Sequence, residues 1–205
     1  MTATLSRKND PVTNTYGLVV CGGHSRRMGT DKSMLRYHQK PQRYHVYDML
    51  LPFCEKVYIS CNDTQANTNE PGYNFIKDDP AFSHTGPMAA LLTAFNKFPQ
   101  RNILFIGCDY PFLSIAELQN FLYSCGNELS GFYNDEAAVY DPLLAFYPAA
   151  SAEPLNRMHE AKQFSLQHFL KEQRAVKHFP LNKKSMISID TEEEFLKAKD
   201  SISRS

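Results

Sequence analysis

Residues 17–32 read GLVVCGGHSRRMGTDK. Leu18-Val19-Val20 is a short apolar run that empties directly into Gly22-Gly23, and a basic, glycine-punctuated loop follows with Ser25, Arg26, Arg27, Gly29 and Lys32. A short apolar run bounded by glycines reads as a buried strand. A strand that opens into such a loop is the sequence form of a phosphate cradle, because glycines let backbone N–H groups approach an anion and the cations neutralise it. The stretch holds neither GxxxxGK[ST] nor GxGxxG: Lys32 stands too far from the paired glycines, and Gly29 is followed by Thr30. Two readings fit these residues, a site for the phosphates of a nucleoside triphosphate and a glycine turn with solvated cations.

Outward from this stretch the chain alternates strand and helix. Residues 1–15 read as a polar, mobile tail and 16–205 as one domain. Strands are expected at Tyr16–Cys21, Lys56–Cys61, Tyr73–Ile76, Asn102–Gly107, Ser130–Asn134, Ala137–Phe146, Val176–Phe179 and Met186–Ile189. The fully apolar NILFIG run at 102–107 is expected to be central. Helices are expected at Pro41–Leu51, Pro87–Lys97, after Ser114, at 149–159, at 165–173 and at Thr191–Ile202, with 62–72 a polar loop. In the second helix Met88, Leu91, Leu92 and Phe95 fall at i, i+3, i+4 and i+7 and make one apolar face, with Pro87 in the first turn. Ser114/Glu117 and Thr191/Glu194 read as capping boxes. Such alternation predicts an α/β fold with a mostly parallel sheet covered on both faces, whose ligands bind beyond the carboxyl ends of the strands.

Composition narrows the function. The 205 residues suffice for one sizeable core. Lys+Arg and Asp+Glu are both 22, so the net charge is zero, which speaks against a nucleic-acid binder and confines any cationic site to a local patch. No apolar run is long enough for a membrane helix, and MTATLSRKND lacks the apolar core of a signal peptide. Cys21, Cys54, Cys61, Cys108 and Cys125 are widely spaced without a CxxC, as expected of reduced thiols in a cytoplasmic protein. The seven histidines show no HExxH and no i,i+4 pair, so a zinc site is not expected.

Asp109 is the second informative residue. It follows the apolar strand and precedes Tyr110-Pro111, so its carboxylate sits at the sheet edge. Two uses compete for it, a turn or cap and a ligand for Mg2+, which takes one or two carboxylates and fills its shell with phosphate and water. Asp78 and Asp79 follow FIK and precede Pro80–Thr85, and Gly86-Pro87 then opens a helix whose N-terminus can face phosphate or base. Asn62 either contacts a base or ribose or makes an Asx turn. Ser25 lacks a G-x-S-x-G context and reads as a loop hydrogen-bonder rather than a nucleophile.

GGHSRRMGTDK resembles the GGxSxRMGxDK signature of nucleotidyltransferases that include the molybdenum cofactor guanylyltransferases, their cytidylyltransferase relatives and sugar-phosphate nucleotidyltransferases. Gly22, Gly23, Ser25, Arg27, Met28, Gly29, Asp31 and Lys32 fall on it. Asp78/Asp79 ahead of Gly86-Pro87-Met88-Ala89-Ala90, Cys108-Asp109-Tyr110-Pro111-Phe112-Leu113 and Asp141-Pro142-Leu143-Leu144-Ala145 follow in the family's order, over about residues 16–200. Spacing and length are most similar to the molybdenum cofactor guanylyltransferases. The resemblance implies a three-layer α/β/α Rossmann-like nucleotidyltransferase fold. It implies GTP as donor, molybdopterin or Mo-molybdopterin as acceptor, pyrophosphate as leaving group, and transient contact with cofactor-insertion proteins. It assigns catalysis to Arg27, Lys32 and Asp109, with Mg2+ on Asp109. Nucleotide contacts would come from Val20, Cys21, Gly22, Gly23, Ser25 and Lys32 in the first motif. Asn62, Asp78, Gly86 and Asp109 would add theirs from later strand ends. The chain departs from the family pattern at Cys21, usually Ala, at Asp141, where His or Gln precedes Pro, and at Ser188-Ile189-Asp190-Thr191, where Asn-x-Asn-Thr is common. Rival readings are the same reaction with CTP or a sugar phosphate, and a nucleotide-binding regulatory protein without turnover.

Overall fold

Seven strands form a single sheet in the order β3-β2-β1-β4-β6-β5-β7 in the computed structural model, which describes residues 14–21, 31–62 and 70–204. The strands are β1 (Thr15–Val20), β2 (Lys56–Cys61), β3 (Phe75–Lys77), β4 (Asn102–Gly107), β5 (Ser130–Asn134), β6 (Val139–Tyr147) and β7 (Val176–His178). The helices are α1 (Gln42–Leu50), α2 (Pro87–Lys97), α3 (Ile115–Cys125), α4 (Ala152–Glu160), α5 (Leu166–Glu172) and α6 (Glu192–Ser203). Strands β1 to β4 run parallel, and β5 is parallel to β7; β6 is antiparallel to both its neighbours. The mostly parallel sheet expected from the alternation is therefore present, with one reversed strand, and the apolar β4 lies at its centre. The reversal brings the first residues of β6 to the edge where β1 to β4 end.

Alternation along the strands sorts side chains into two cores. Leu18, Val20, Ile103 and Phe105 face α2, α4 and α5, where Met88, Leu92, Leu155 and Phe169 close one layer. Val19, Leu104, Ile106, Leu144 and Phe146 face α1 and α3, where Tyr47, Leu50, Leu118 and Phe121 close the other. The predicted apolar face of α2, Met88, Leu91, Leu92 and Phe95, is buried along its length. Helix α6 joins neither core: its Ala198 packs in a small cluster with Tyr37 and Ile189.

Two local expectations are corrected. Residues 186–189 form no strand; Lys183–Met186 is a 3-10 turn. The backbone of Ile189 is engaged elsewhere, its N–H donating to the Asp109 carbonyl and its carbonyl accepting from Lys32 Nζ. The Ser114 box is half made. Ser114 Oγ accepts from the Glu117 N–H, but the Glu117 carboxylate turns inward to His178 Nε2 and to the N–H groups of Leu181 and Asn182. The Thr191/Glu194 box is complete, as expected.

Candidate active site

The carboxyl ends of β1, β2, β3 and β4 bring Val20-Cys21, Asn62, Asp78 and Asp109 to one edge of the sheet. Cys108 N–H donates to the Val20 carbonyl at 3.1 Å, which joins the approach to the glycine loop with the approach to Asp109. Gly22, Gly23, Ser25 and Arg27 lie outside the described residues. Past the loop, Asp31 caps a 3-10 turn over Lys32–Met34 by accepting from Ser33 N–H, and this turn carries Lys32 to the edge.

Lys32 Nζ donates to Asp190 Oδ1 at 2.6 Å and to the Ile189 carbonyl at 3.1 Å. Ile189 N–H donates in turn to the Asp109 carbonyl at 3.1 Å. Segment 189–190 thus ties the lysine of the first motif to the aspartate of the third. Glu194 fixes the segment by accepting from the N–H groups of Asp190 and Thr191. Asp190, noted in the sequence as a charge where the family carries an amide, is the partner of Lys32.

Asp109 is largely buried, and burial pushes its carboxyl pKa up to about 6; the charges of Asp141 and Asp190 add to the rise, while its backbone hydrogen bond and Lys32 oppose it. Asp141 opens the reversed strand on the same side. It too is raised, by burial, against the Tyr110 hydroxyl and the Leu143 N–H that donate to it at 2.9 and 3.0 Å. Gly107 leaves room for this arrangement: a Cβ there would stand 2.7 Å from Asp109 Oδ1 and 2.9 Å from the Tyr110 ring. Gly107 and Tyr110 have no site role assigned from the sequence; a glycine ending an apolar strand two residues before a carboxylate is the signal that marks them.

At the β2–β3 side, Ser60 Oγ donates to Asp78 Oδ1 at 2.6 Å, and burial raises the Asp78 carboxyl. Asp79 is used locally, accepting from Ala81 N–H to cap the turn at Pro80–Phe82. Both carboxylates thus have local donors, Asp78 from β2 and Asp79 from its own turn. Gly86 caps α2 with φ 62°, a left-handed backbone suited to glycine. Asn62 is exposed just past β2.

These donors fit a hard divalent cation in one particular way. Among the described residues no three acidic, histidine or cysteine side chains converge into a ready-made cage. Asp109, with Asp141 and Asp190 as neighbouring charges, supplies one or two carboxylates, the number Mg2+ takes when phosphate and water complete its shell. Among the described residues at this edge, Asp109, Asp141 and Asp190 stand near a single lysine, Lys32.

A family model described as a MobA-like NTP transferase domain matches residues 17–177. The chain is similar to the molybdenum cofactor biosynthesis bifunctional protein of Synechocystis sp., 31% identical over 137 residues that are 66% of this chain and 39% of that protein. It is also similar to the molybdenum cofactor guanylyltransferase of Pasteurella multocida, 31% identical over 130 residues, 61% of this chain and 68% of that one. The match therefore spans well under half of the Synechocystis protein. The solved molybdopterin-guanine dinucleotide biosynthesis protein A from Archaeoglobus fulgidus shares the fold, with a TM-score of 0.73 at 22% identity over 93% of this chain and 100% of that chain. Among the described residues no helix is long and apolar enough to cross a membrane.

Proposed function

We propose a function for a chain that belongs to the MobA-like NTP transferase family, and take that membership as the premise: it is a nucleotidyltransferase that moves GMP from GTP to the terminal phosphate of molybdopterin or Mo-molybdopterin, in the cytoplasm, and passes the product to cofactor-insertion proteins. In this reaction an acceptor phosphate oxygen forms a bond to the α-phosphorus of GTP, the α–β phosphoanhydride bond breaks, and pyrophosphate leaves with the electron pair. The acceptor oxygen is already anionic, so no strong base is required. The work of the protein is to hold two polyanions in line and to stabilise the charge that spreads between them.

The chain's own residues divide this work. Gly22, Gly23 and Ser25 cradle the triphosphate through backbone N–H groups and a hydroxyl. Arg27 and Lys32 neutralise the α-phosphate and the departing pyrophosphate. Asp109 would hold Mg2+, which would supply positive charge against the phosphate oxygens. Asp78, Asn62 and Gly86 face the nucleoside from the β2–β3 side. Asp190 and Asp141 serve the acceptor side, and Lys32 offsets the charge of Asp190.

The observation that carries the proposal is the convergence of Lys32 and Asp109, from motifs more than seventy residues apart in the sequence, on one bridging segment at the carboxyl edge of a parallel sheet. The test is calorimetric titration of the wild-type chain and an Asp109→Ala variant with GTP, CTP, ATP and UTP in Mg2+, followed by a product assay with molybdopterin. Selective GTP binding that weakens in the variant, with release of pyrophosphate only when acceptor is present, is the expected result. Preference for CTP moves the chain to the cytidylyltransferase branch, and no nucleotide binding overturns the proposal.

A further inference from the structure

A cavity of about 620 Å3 lies among α5, β7 and the β5–β6 hairpin, apart from the Lys32–Asp109 edge. Tyr140, one of its walls, packs in the core beneath α5. The next residue, Asp141, turns the other way to the Tyr110 hydroxyl, as alternation along a strand requires. The cavity and the Asp109–Asp141 pair therefore sit on opposite sides of β6, one residue apart along it. Its volume is in the range of small-molecule sites.

The lining is cationic. His168 and Lys171 stand three apart on one face of α5, Arg174 follows at the same spacing just past the helix end, and Lys177 projects from β7. No Asp or Glu is among the lining residues. His168 pairs with Glu172, but among the described residues Lys171, Arg174 and Lys177 have no carboxylate partner. Several surface cations elsewhere are matched, as in Arg101–Glu55, Arg157–Glu153, Lys183–Glu136 and Lys197–Glu193, and others such as Lys56, Lys184 and Lys199 stand singly among the described residues; what distinguishes this cavity is that three cations share one concavity. In a chain of zero net charge, three permanent cations around one concavity are a local excess that calls for an anion.

The backbone at two points of the wall turns sharply. Arg174 at φ 53° and Ala138 at φ 56° both line this cavity in the left-handed region. That conformation is strained for residues with a Cβ and usually falls to glycine or asparagine at a helix end. Gln100 past α2 and Lys162 past α4 adopt the same conformation away from the cavity; at position 174 it sets a guanidinium on the cavity wall. Lys177 is held at the wall with its Nζ 3.9 Å from the centre of the Tyr133 ring, a ring that packs edge-on against Tyr140.

We propose that this cavity is a second ligand site, separate from the nucleotidyl-transfer edge, that binds a small molecule carrying several phosphate groups. Arginine's planar fork and the lysine point charges are the side chains best suited to phosphate oxygens. Their placement on a helix, a helix end and a strand suits phosphates spread along a chain better than a single one. A ligand seated here contacts β6 one residue from Asp141, which gives its occupancy a short path to the proposed active site.

The test uses inorganic tripolyphosphate as probe, titrated by calorimetry at low salt into the full chain, into Lys171→Gln/Arg174→Gln/Lys177→Gln, and into a control, Lys56→Gln/Lys184→Gln/Lys199→Gln, that removes the same charge elsewhere. All six residues are exposed, and thermal melts check that each variant folds. The wild-type chain takes up two equivalents if the sheet edge also binds phosphates, and one if only this cavity does. In either case the first triple change removes one equivalent or weakens it at least about tenfold, and the control does not. Unchanged binding in the first variant, or an equal loss in the control, overturns the proposal. GTP binding, measured in parallel, reports separately on the sheet edge.

Discussion

Replacing Asp109 with Asn should stabilise the fold while abolishing turnover. The side chain is held largely out of water beside Asp141 and Asp190, and its pKa rises from 3.8 to about 6. A carboxyl with a raised folded-state pKa binds more protons in the native than in the unfolded state between those two values. Stability contributed at this site is therefore greatest below pH 4 and is lost as pH climbs to 6. At about 1.4 kcal/mol per pKa unit, ionised Asp109 costs the fold up to about 3 kcal/mol above pH 7. Asn keeps the shape without the charge. Urea unfolding at pH 7.5 should show Asp109→Asn more stable by as much as about 3 kcal/mol, a rise of roughly 6–12 °C in Tm for a chain of this size. At pH 4 the two proteins should coincide. The same variant should show none of the Mg2+-dependent nucleotide stabilisation expected of the parent. A variant no more stable than the parent at pH 7.5, or one whose advantage persists undiminished at pH 4, would refute the reasoning that burial and neighbouring carboxylates strain this group.

Three further outcomes follow from the same geometry. Lys32→Ala should lower nucleotidyl transfer about 10²–10³-fold, the scale of losing one aimed charge from a phosphate-transfer site, while urea stability moves by less than about 1 kcal/mol because its partner Asp190 is exposed; a stopped pyrophosphate-release assay reads the first and denaturation the second. Gly107→Ala places a methyl 2.7 Å from Asp109 Oδ1 and should cut Mg2+-dependent turnover at least about tenfold, with an overpacking cost of about 1–3 kcal/mol; unaltered turnover would mean that Asp109 does not work from its observed position. Glu117→Ala removes a carboxylate that is 2% exposed and accepts from His178, Leu181 and Asn182. It should destabilise by about 3–5 kcal/mol in guanidinium unfolding.

The elements written in local pattern were readable from the sequence. Asn102–Gly107 carries the continuous apolar stretch Ile103–Ile106, Lys56–Cys61 alternates Val57 and Ile59 with Lys56, Tyr58 and Ser60, and Pro87–Lys97 carries both a start signal and a period; all three form with the expected bounds. The meeting of Lys32 and Asp109 at one edge was readable because their segments each follow a parallel strand, β1 and β4. What was not readable is settled by contacts between distant parts of the chain. Lys32 and Asp190 are 158 residues apart, and no periodicity reports that a carboxylate near the C-terminus will meet a lysine near the N-terminus. Residues 186–189 look like a strand by composition, yet their backbone is drawn to Asp109 and Lys32, and a ladder is given up for the site. Glu117 likewise fits a capping box by spacing, and a buried histidine 61 residues away takes its carboxylate instead.

Phosphate arriving at the edge meets the bridging segment 189–190 first through Lys32. The bridging segment is held by three kinds of contact of unequal strength. The capping box at Thr191 and the Ile189 N–H bond to the Asp109 carbonyl involve no phosphate-seeking group and can persist when ligand arrives. The Lys32–Asp190 pair cannot persist unchanged if Lys32 turns to a triphosphate. Its side chains are 20% and 59% exposed, so the pair is of the surface kind, worth about 0.2–1 kcal/mol. A charge-assisted bond from the same ammonium to phosphate, in a site from which ligand has displaced water, is worth about 1.5–3 kcal/mol. Phosphate therefore wins Lys32 at small cost. Asp190 is then left ionised beside Asp109, which raises the demand for a divalent cation at the moment the triphosphate supplies the oxygens to complete its shell. Nucleotide and metal should accordingly bind with positive coupling, each tightening the other by the same factor, and removing the charge with Asp190→Asn should reduce that coupling while leaving the fold intact.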